Sequence, residues 1–121
     1  MKTAPKDTTS GAAAETLAAD WLAQRGLKVI ERNFRVRGGE IDLICRDGKQ
    51  WVFVEVRLRR NRDFGSAADS ITLKKRQRLL LAAQHYLLQH PGVDARFDCV
   101  LLDALNAEAI EWIKNAFAAD D

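Results

Sequence analysis

The stretch from Gly38 to Arg60 constrains this chain more than any other. It holds two strand-like runs on either side of an Asp47-Gly48 pair. The first, Ile41-Asp42-Leu43-Ile44-Cys45, sets Asp42 among apolar residues; the second, Trp51-Val52-Phe53-Val54-Glu55-Val56-Arg57-Leu58, does the same to Glu55 and Arg57. Branched and aromatic runs around Asp-Gly are a strong short-range signal for a β-hairpin. A charge inside an apolar strand is costly unless it is paired or bound to a metal. The hairpin must therefore bring these charges to partners.

Strand geometry decides which charges can meet. Side chains alternate faces, so Glu55 and Arg57 share one face with Phe53. If Asp47 and Gly48 are the two turn residues, Asp42 lies opposite Phe53 and Glu55 is its diagonal neighbour, roughly 7–8 Å away. A four-residue loop from Asp47 to Gln50 would instead set Asp42 directly opposite Glu55, at about 5 Å. Either even-length loop keeps both carboxylates on one face, whereas an odd loop or a bulge would not. Two carboxylates at that spacing can hold a hard divalent ion, Mg²⁺ or Mn²⁺, through oxygen ligands. Arg57, one pleat beyond Glu55, can offset phosphate charge.

Charge distribution supplies the second constraint. The chain of 121 residues has a net charge of only +2. Between Arg57 and Arg78, however, eight basic residues (Arg57, Arg59, Arg60, Arg62, Lys74, Lys75, Arg76 and Arg78) face only Asp63 and Asp69, so this segment carries +6 and the remainder −4. A basic stripe beside a carboxylate pair suits a polyanion brought to a metal. The plainer reading is a solvated helix face and a charged loop.

The rest of the chain frames the hairpin. Residues 1–8 read as a disordered tail and residues 9–121 as one domain, long enough for a single core. Thr9 or Ser10 can cap a helix to about Arg25, with Ala14, Leu17, Ala18, Trp21 and Leu22 as its apolar stripe and Gly26 as its terminator. Glu15 sits at the margin of that stripe, where a lone glutamate is more often solvated. A first strand is expected over Leu27–Arg37, and Gly38-Gly39 is a turn or a point of close backbone approach. A polar loop follows the hairpin over residues 60–66. A second helix spans about Ala67 to Gln89, with a break near Thr72. Its cations crowd the first half, the wrong end for the helix dipole, so helix stability does not explain them.

His90-Pro91-Gly92 stops that helix, and His85 and His90 read as structural or solvated. Arg96–Leu102 is a buried strand in which Asp98 is expected to pair with a neighbouring arginine. Ala109–Phe117 supplies the last strand. The order α-β-β-β-α-β-β implies an α/β fold, one mixed β-sheet flanked by helices. Cys45 and Cys99 lie in apolar runs without zinc spacing and read as buried thiols. No signal peptide or membrane-length run is present, which points to the cytoplasm.

With these residues in view, the sequence resembles the YraN family of small bacterial proteins. The likeness rests on Gly39-Glu40-Ile41-Asp42-Leu43, Phe53-Val54-Glu55-Val56-Arg57, Arg32-Asn33 and Arg96-Phe97-Asp98, and runs from Glu15 to Trp112-Ile113-Lys114. That family in turn resembles the restriction-endonuclease-like superfamily, most closely the archaeal Holliday-junction resolvases. The resemblance implies a metal-dependent endonuclease acting on branched DNA, with Asp42 and Glu55 as metal ligands and Glu15 as a helix glutamate completing the site. By analogy it also implies a homodimer. Arg57 stands where the superfamily motif has lysine. Arginine keeps the electrostatic role but, with a pKa above 12, is a poor proton acceptor. By the same resemblance Lys75 is the candidate substitute. The alternative is a catalytically silent DNA- or RNA-binding module, or a protein-interaction scaffold, on the same fold.

Overall fold

The computed structural model describes residues 10–59, 71–91 and 94–118. Helix α1 (Ser10–Gln24) is followed by β1 (Lys28–Val36), β2 (Gly39–Asp47), β3 (Gln50–Leu58), α2 (Leu73–Gln89), β4 (Ala95–Leu102), a short 3₁₀ turn (Ala107–Ala109) and β5 (Ile110–Phe117). The five strands form one sheet in the order β1-β2-β3-β4-β5. All neighbours are antiparallel except β3 and β4, which run parallel. Helix α2 lies in the crossover that this parallel pair requires. The expected mixed sheet and element order are those observed. No helix among the described residues is long and apolar enough to cross a membrane.

The two helices cover opposite faces, and the alternation of β3 shows why. Val52 and Val54 join Leu43, Cys45, Val100 and Leu102 against Ala14, Ala18 and Leu22 of α1. Trp51 and Phe53 join Ile44, Phe97, Cys99 and Leu101 against Leu79, Ala82, Ala83 and Tyr86 of α2. With both faces covered, β3 and β4 read as continuous apolar runs rather than as alternating ones. Fully burying each large side chain, such as Phe53 or Leu22, contributes roughly 1.5–3 kcal/mol. Both cysteines are buried free thiols, as expected.

Helix ends follow their local sequence. Gly26, at φ +99°, closes α1. The Leu27 N–H donates to the Leu22 carbonyl and the Gly26 N–H to Ala23, the Schellman pattern that satisfies the last helical carbonyls. At the start of α2, the Thr72 hydroxyl accepts the N–H of Lys75 at 3.2 Å, so the helix starts after Thr72. The expected earlier start, at Ala67, falls outside the described residues, as do the tail of residues 1–8, Thr9 and the loop over residues 60–66. Gly38-Gly39 meets both expectations. Gly38 turns at φ +85°, and a Cβ on Gly39 would lie 2.4 Å from the Arg78 carbonyl oxygen of α2.

The hairpin turn differs from both alternatives read from sequence. Asp47 pairs with Gln50, leaving Gly48-Lys49 as a two-residue loop with Gly48 at φ +63°, which fits a type II′ turn. The resulting register, Arg46 with Trp51 through Leu43 with Val54, is nonetheless the one a four-residue loop would have given. Its continuation sets Asp42 opposite Glu55.

Candidate active site

The site forms where the β2–β3 ladder ends. Regular pairing stops at Leu43–Val54. One step further, the Val56 N–H donates to Asp42 Oδ2 at 2.8 Å. Asp42 thus reaches across the fork between the strands and takes a backbone donor of β3 on its own side chain.

The outer part of the β1–β2 hairpin rolls just beyond this point. Arg32 and Leu43 pair across β1 and β2 and point toward α1, where Arg32 Nη2 donates to Thr16 Oγ1 at 3.0 Å. Two residues on, Phe34 and Ile41 pair and belong to the α2 side. In a regular strand they would share the face of Arg32 and Leu43. Asn33, opposite Asp42, adopts φ +55°, a left-handed conformation that asparagine tolerates better than most residues. The switch breaks strict alternation on β2 outside Asp42, whereas alternation inward to Ile44 keeps Asp42 on the α2 face that also carries Phe53 and Glu55.

Asp42 and Glu55 are only 7% and 8% exposed. Burial, reinforced by the neighbouring Glu55 carboxylate, pushes the Asp42 carboxyl up to about 7, against the pull of the Val56 N–H. Burial raises Glu55 as well, opposed by Lys75, Arg57 and a contact with the Asp42 carboxyl. Two like charges in one dry site cannot both ionise freely, so near neutral pH the pair shares a proton. Glu15 on α1 is raised to about 7, by burial first and then by Asp42, while a hydrogen bond to Asn33 and the charge of Arg32 pull it back.

Cations reach the pair from β3 and α2. Lys75 Nζ lies 3.6 Å from Glu55 Oε2. Arg57 is half-buried beside Glu55, and its Nε is buried with no hydrogen-bond partner among the described residues. In front of Glu55 opens a cleft of about 340 Å³ lined by Glu40, Thr72, Lys74, Lys75 and Arg78. Arg78 Nη2 is held 3.6 Å from Glu40 Oε1. The first turn of α2 has no acidic residue to offset these cations.

The expected site residues divide accordingly. Asp42 and Glu55 come together, Lys75 joins them, and Lys74 and Arg78 line the same cleft. Glu15 is electrostatically coupled to Asp42 but stands off on the other face; among the described residues no three His, Cys, Asp or Glu side chains converge as a metal-ligand set. Two expected nucleic-acid contacts point elsewhere. Arg59 donates to Asp103 through Nε and meets it through Nη2, both at 3.0 Å, with Glu111 at 3.7 Å. Arg76 turns toward the Phe117 ring. Arg60 and Arg62 lie outside the described residues. The sequence reading gave no role to Asn33, where the outer hairpin rolls and whose side chain meets Glu15, or to Glu40, which tethers Arg78. Asn33 lies opposite Asp42 and Glu40 two residues before it, and the left-handed tolerance of Asn33 was the available signal.

Asp98, the other acid in an apolar run, has a structural role. Arg96 Nε donates to it at 3.0 Å, Trp112 Nε1 at 2.9 Å and the Asn115 N–H at 3.0 Å. Arg96 Nη1 continues to Asp47 and Gln50, tying the hairpin turn to β4 and β5.

Fold and site together describe a helix-flanked mixed sheet with a buried carboxylate pair facing a basic helix start, in agreement with a restriction-endonuclease-like arrangement. Residues 14–102 match the model of the family described as "Uncharacterised protein family UPF0102". The chain belongs to this family, the one its motifs resemble. It is 61% identical to a UPF0102 protein of Dechloromonas aromatica (strain RCB) over the whole of both chains. It is 51% identical to one of Methylobacillus flagellatus, over 88% of this chain and 94% of the relative. A third, from Enterobacter sp. (strain 638), is 48% identical over 92% of this chain and 86% of its own.

Proposed function

We propose that this protein binds nucleic acid across the cleft between α2 and the β2–β3 fork, and that it cleaves a phosphodiester there with a divalent metal ion. The observation that carries the reading is the burial of Asp42 against Glu55 beside Lys75 in a cleft rimmed by Lys74 and Arg78. A pair of like acids in a dry site costs stability, so a fold that keeps one has a use for it.

The donor set fits Mg²⁺ or Mn²⁺: two hard carboxylates that share a proton which a cation can replace. When bound between Asp42 and Glu55, such an ion would lower the pKa of water and offset charge on the phosphate. The chain's own residues do the remaining work. Lys74 and Arg78 draw the polyanion into the cleft. Lys75 holds Glu55 in its rotamer, and Arg57 supplies a fixed positive charge behind the phosphate. The Val56 N–H keeps Asp42 turned into the fork.

A second reading keeps the binding and drops the cleavage. It is favoured by Arg57, which cannot act as a proton acceptor, and by the two-carboxylate site without a convergent third ligand among the described residues. Incubating junction, flap and linear DNA with the protein and Mg²⁺ or Mn²⁺ separates the two. Cleavage lost in Asp42→Asn and in Glu55→Gln, with binding intact or stronger, supports the nuclease. Binding without any cleavage supports the second reading. Cleavage that survives both substitutions rejects the site.

A further inference from the structure

We propose that the groove between β1 and the C-terminal half of α2 binds an unpaired nucleotide of the same strand whose phosphate enters the carboxylate cleft. The inference rests on the nucleic-acid reading above and adds a second subsite to it. The groove encloses about 400 Å³ and is lined by Glu31, Phe34, Arg35, Tyr86, Gln89 and His90, among others. That volume is on the scale of one small ligand rather than of a duplex.

Its floor is aromatic and already ordered. Tyr86 makes edge-to-face contacts with Phe34 at 5.2 Å and Trp51 at 5.1 Å. The exposed His90 imidazole is stacked on Tyr86, with centroids 4.1 Å apart and planes 13° from parallel. Its Nδ1 lies 3.1 Å from the Tyr86 carbonyl oxygen, which fixes the ring. A flat ring held in place offers a stacking surface at little entropic cost, and only an unpaired base has a free face to lay on it. The polar rim suits a base with an exocyclic amino group. Gln89 can pair with adenine in bidentate fashion, and Glu31 can accept from an amino group of adenine or cytosine. Glu31 also repels phosphate, so at that end the base rather than the backbone faces the protein. Arg35 supplies the phosphate contact.

Groove and cleft are joined through one residue. Glu40 Oε1 lies 3.9 Å from Arg35 Nε in the groove and 3.6 Å from Arg78 Nη2 in the cleft. A phosphate at this junction would take both arginines from Glu40. From Arg78 to His90 the helix rises about 18 Å, enough for a few nucleotides of one strand to run from cleft to groove.

Fluorescence anisotropy in EDTA, with labelled duplexes, tests this directly. The probes are a blunt duplex, the same duplex with a tail of about six unpaired nucleotides, and one with an abasic tail of equal length. The base-bearing tail should tighten wild-type binding by between about fivefold and a hundredfold, and the abasic tail should give less. His90→Ala, at an exposed position, should reduce the tail advantage while leaving blunt-duplex affinity within about twofold, and Arg35→Ala should reduce the tail advantage as well. Equal affinity for all three probes, or a tail advantage untouched by both variants, overturns the groove while leaving the cleft reading in place. A protein that binds none of the probes overturns both.

Discussion

Replacing Asp42 with asparagine should stabilise the protein at pH 8 while disabling its site. The Asp42 carboxyl moves from an ordinary 3.8 to about 7 on folding. Between those values the folded state holds a proton that the unfolded state releases, so stability falls as pH rises through this window. Below pH 3.8 the group costs nothing. Above pH 7 the full cost is in place, about 4 kcal/mol at 1.36 kcal/mol per pH unit. The group is almost wholly buried, so solvent screening reduces this little.

The asparagine side chain would remain neutral and could still accept the Val56 N–H through its amide oxygen. Urea unfolding of wild type and Asp42→Asn at pH 5 and pH 8 measures the difference. With a urea m-value of about 2 kcal/mol/M, the variant's midpoint should lie about 1–2 M above wild type at pH 8, with a clearly smaller gap at pH 5. Mn²⁺ at about a hundred times its Kd should stabilise wild type at pH 8 by about 2.7 kcal/mol and leave the variant unchanged. A variant destabilised equally at both pH values would refute the reasoning, because Asp42 would then be an ordinary structural acceptor.

Other outcomes follow from the same geometry. Reversing Lys74 and Arg78 to glutamate should weaken DNA binding regardless of sequence and flatten its dependence on salt, since each neutralised phosphate releases counterions; Arg59→Glu should instead lower the melting temperature by setting a like charge against Asp103 and Glu111, and an unchanged salt slope in the double variant would move the interface elsewhere. Arg57→Lys should preserve or raise any cleavage rate, whereas Arg57→Ala should lower it by about a hundredfold; equal rates in both would remove Arg57 from the site. Asp98→Ala should cost about 3–5 kcal/mol in urea unfolding, because Arg96 Nε, Trp112 Nε1 and the Asn115 N–H lose a shared buried acceptor while Arg96 keeps its Asp47 pair; a loss under about 1 kcal/mol would show that these donors find other acceptors.

The hairpin and its acids were legible because they break a local rule: Asp42 and Glu55 are charges in runs that otherwise specify a core strand. Gly38-Gly39 and Gly26 were legible for the same kind of reason, as each marks a backbone position where a side chain is excluded or strained. The exact turn was not. Asp-Gly is the commoner turn pair, but here Asp47 is held in the ladder by Arg96, a contact from 49 residues away that no local pattern contains. Nor could alternation foresee the roll at Asn33, which depends on one left-handed residue.

The basic segment was legible as charge but not as surface. Helical spacing does separate Lys74, Lys75 and Arg78, which are neighbours at i+3 and i+4, from Arg76, which points toward β5. Arg59 required tertiary information, because its partner Asp103 enters from the end of β4.

Calorimetric titration of Mn²⁺ into the metal-free protein at pH 6 tests the central claim most directly. At that pH the carboxylate pair retains a proton, so an ion that binds between Asp42 and Glu55 must displace it. The expected result is saturable binding of Mn²⁺ with release of about one proton, seen as a heat that varies with the ionisation enthalpy of the buffer, and loss of both signals in Asp42→Asn and Glu55→Gln. Absence of Mn²⁺ binding in the wild type, or binding that both variants retain, would contradict the assignment of this pair as the metal site.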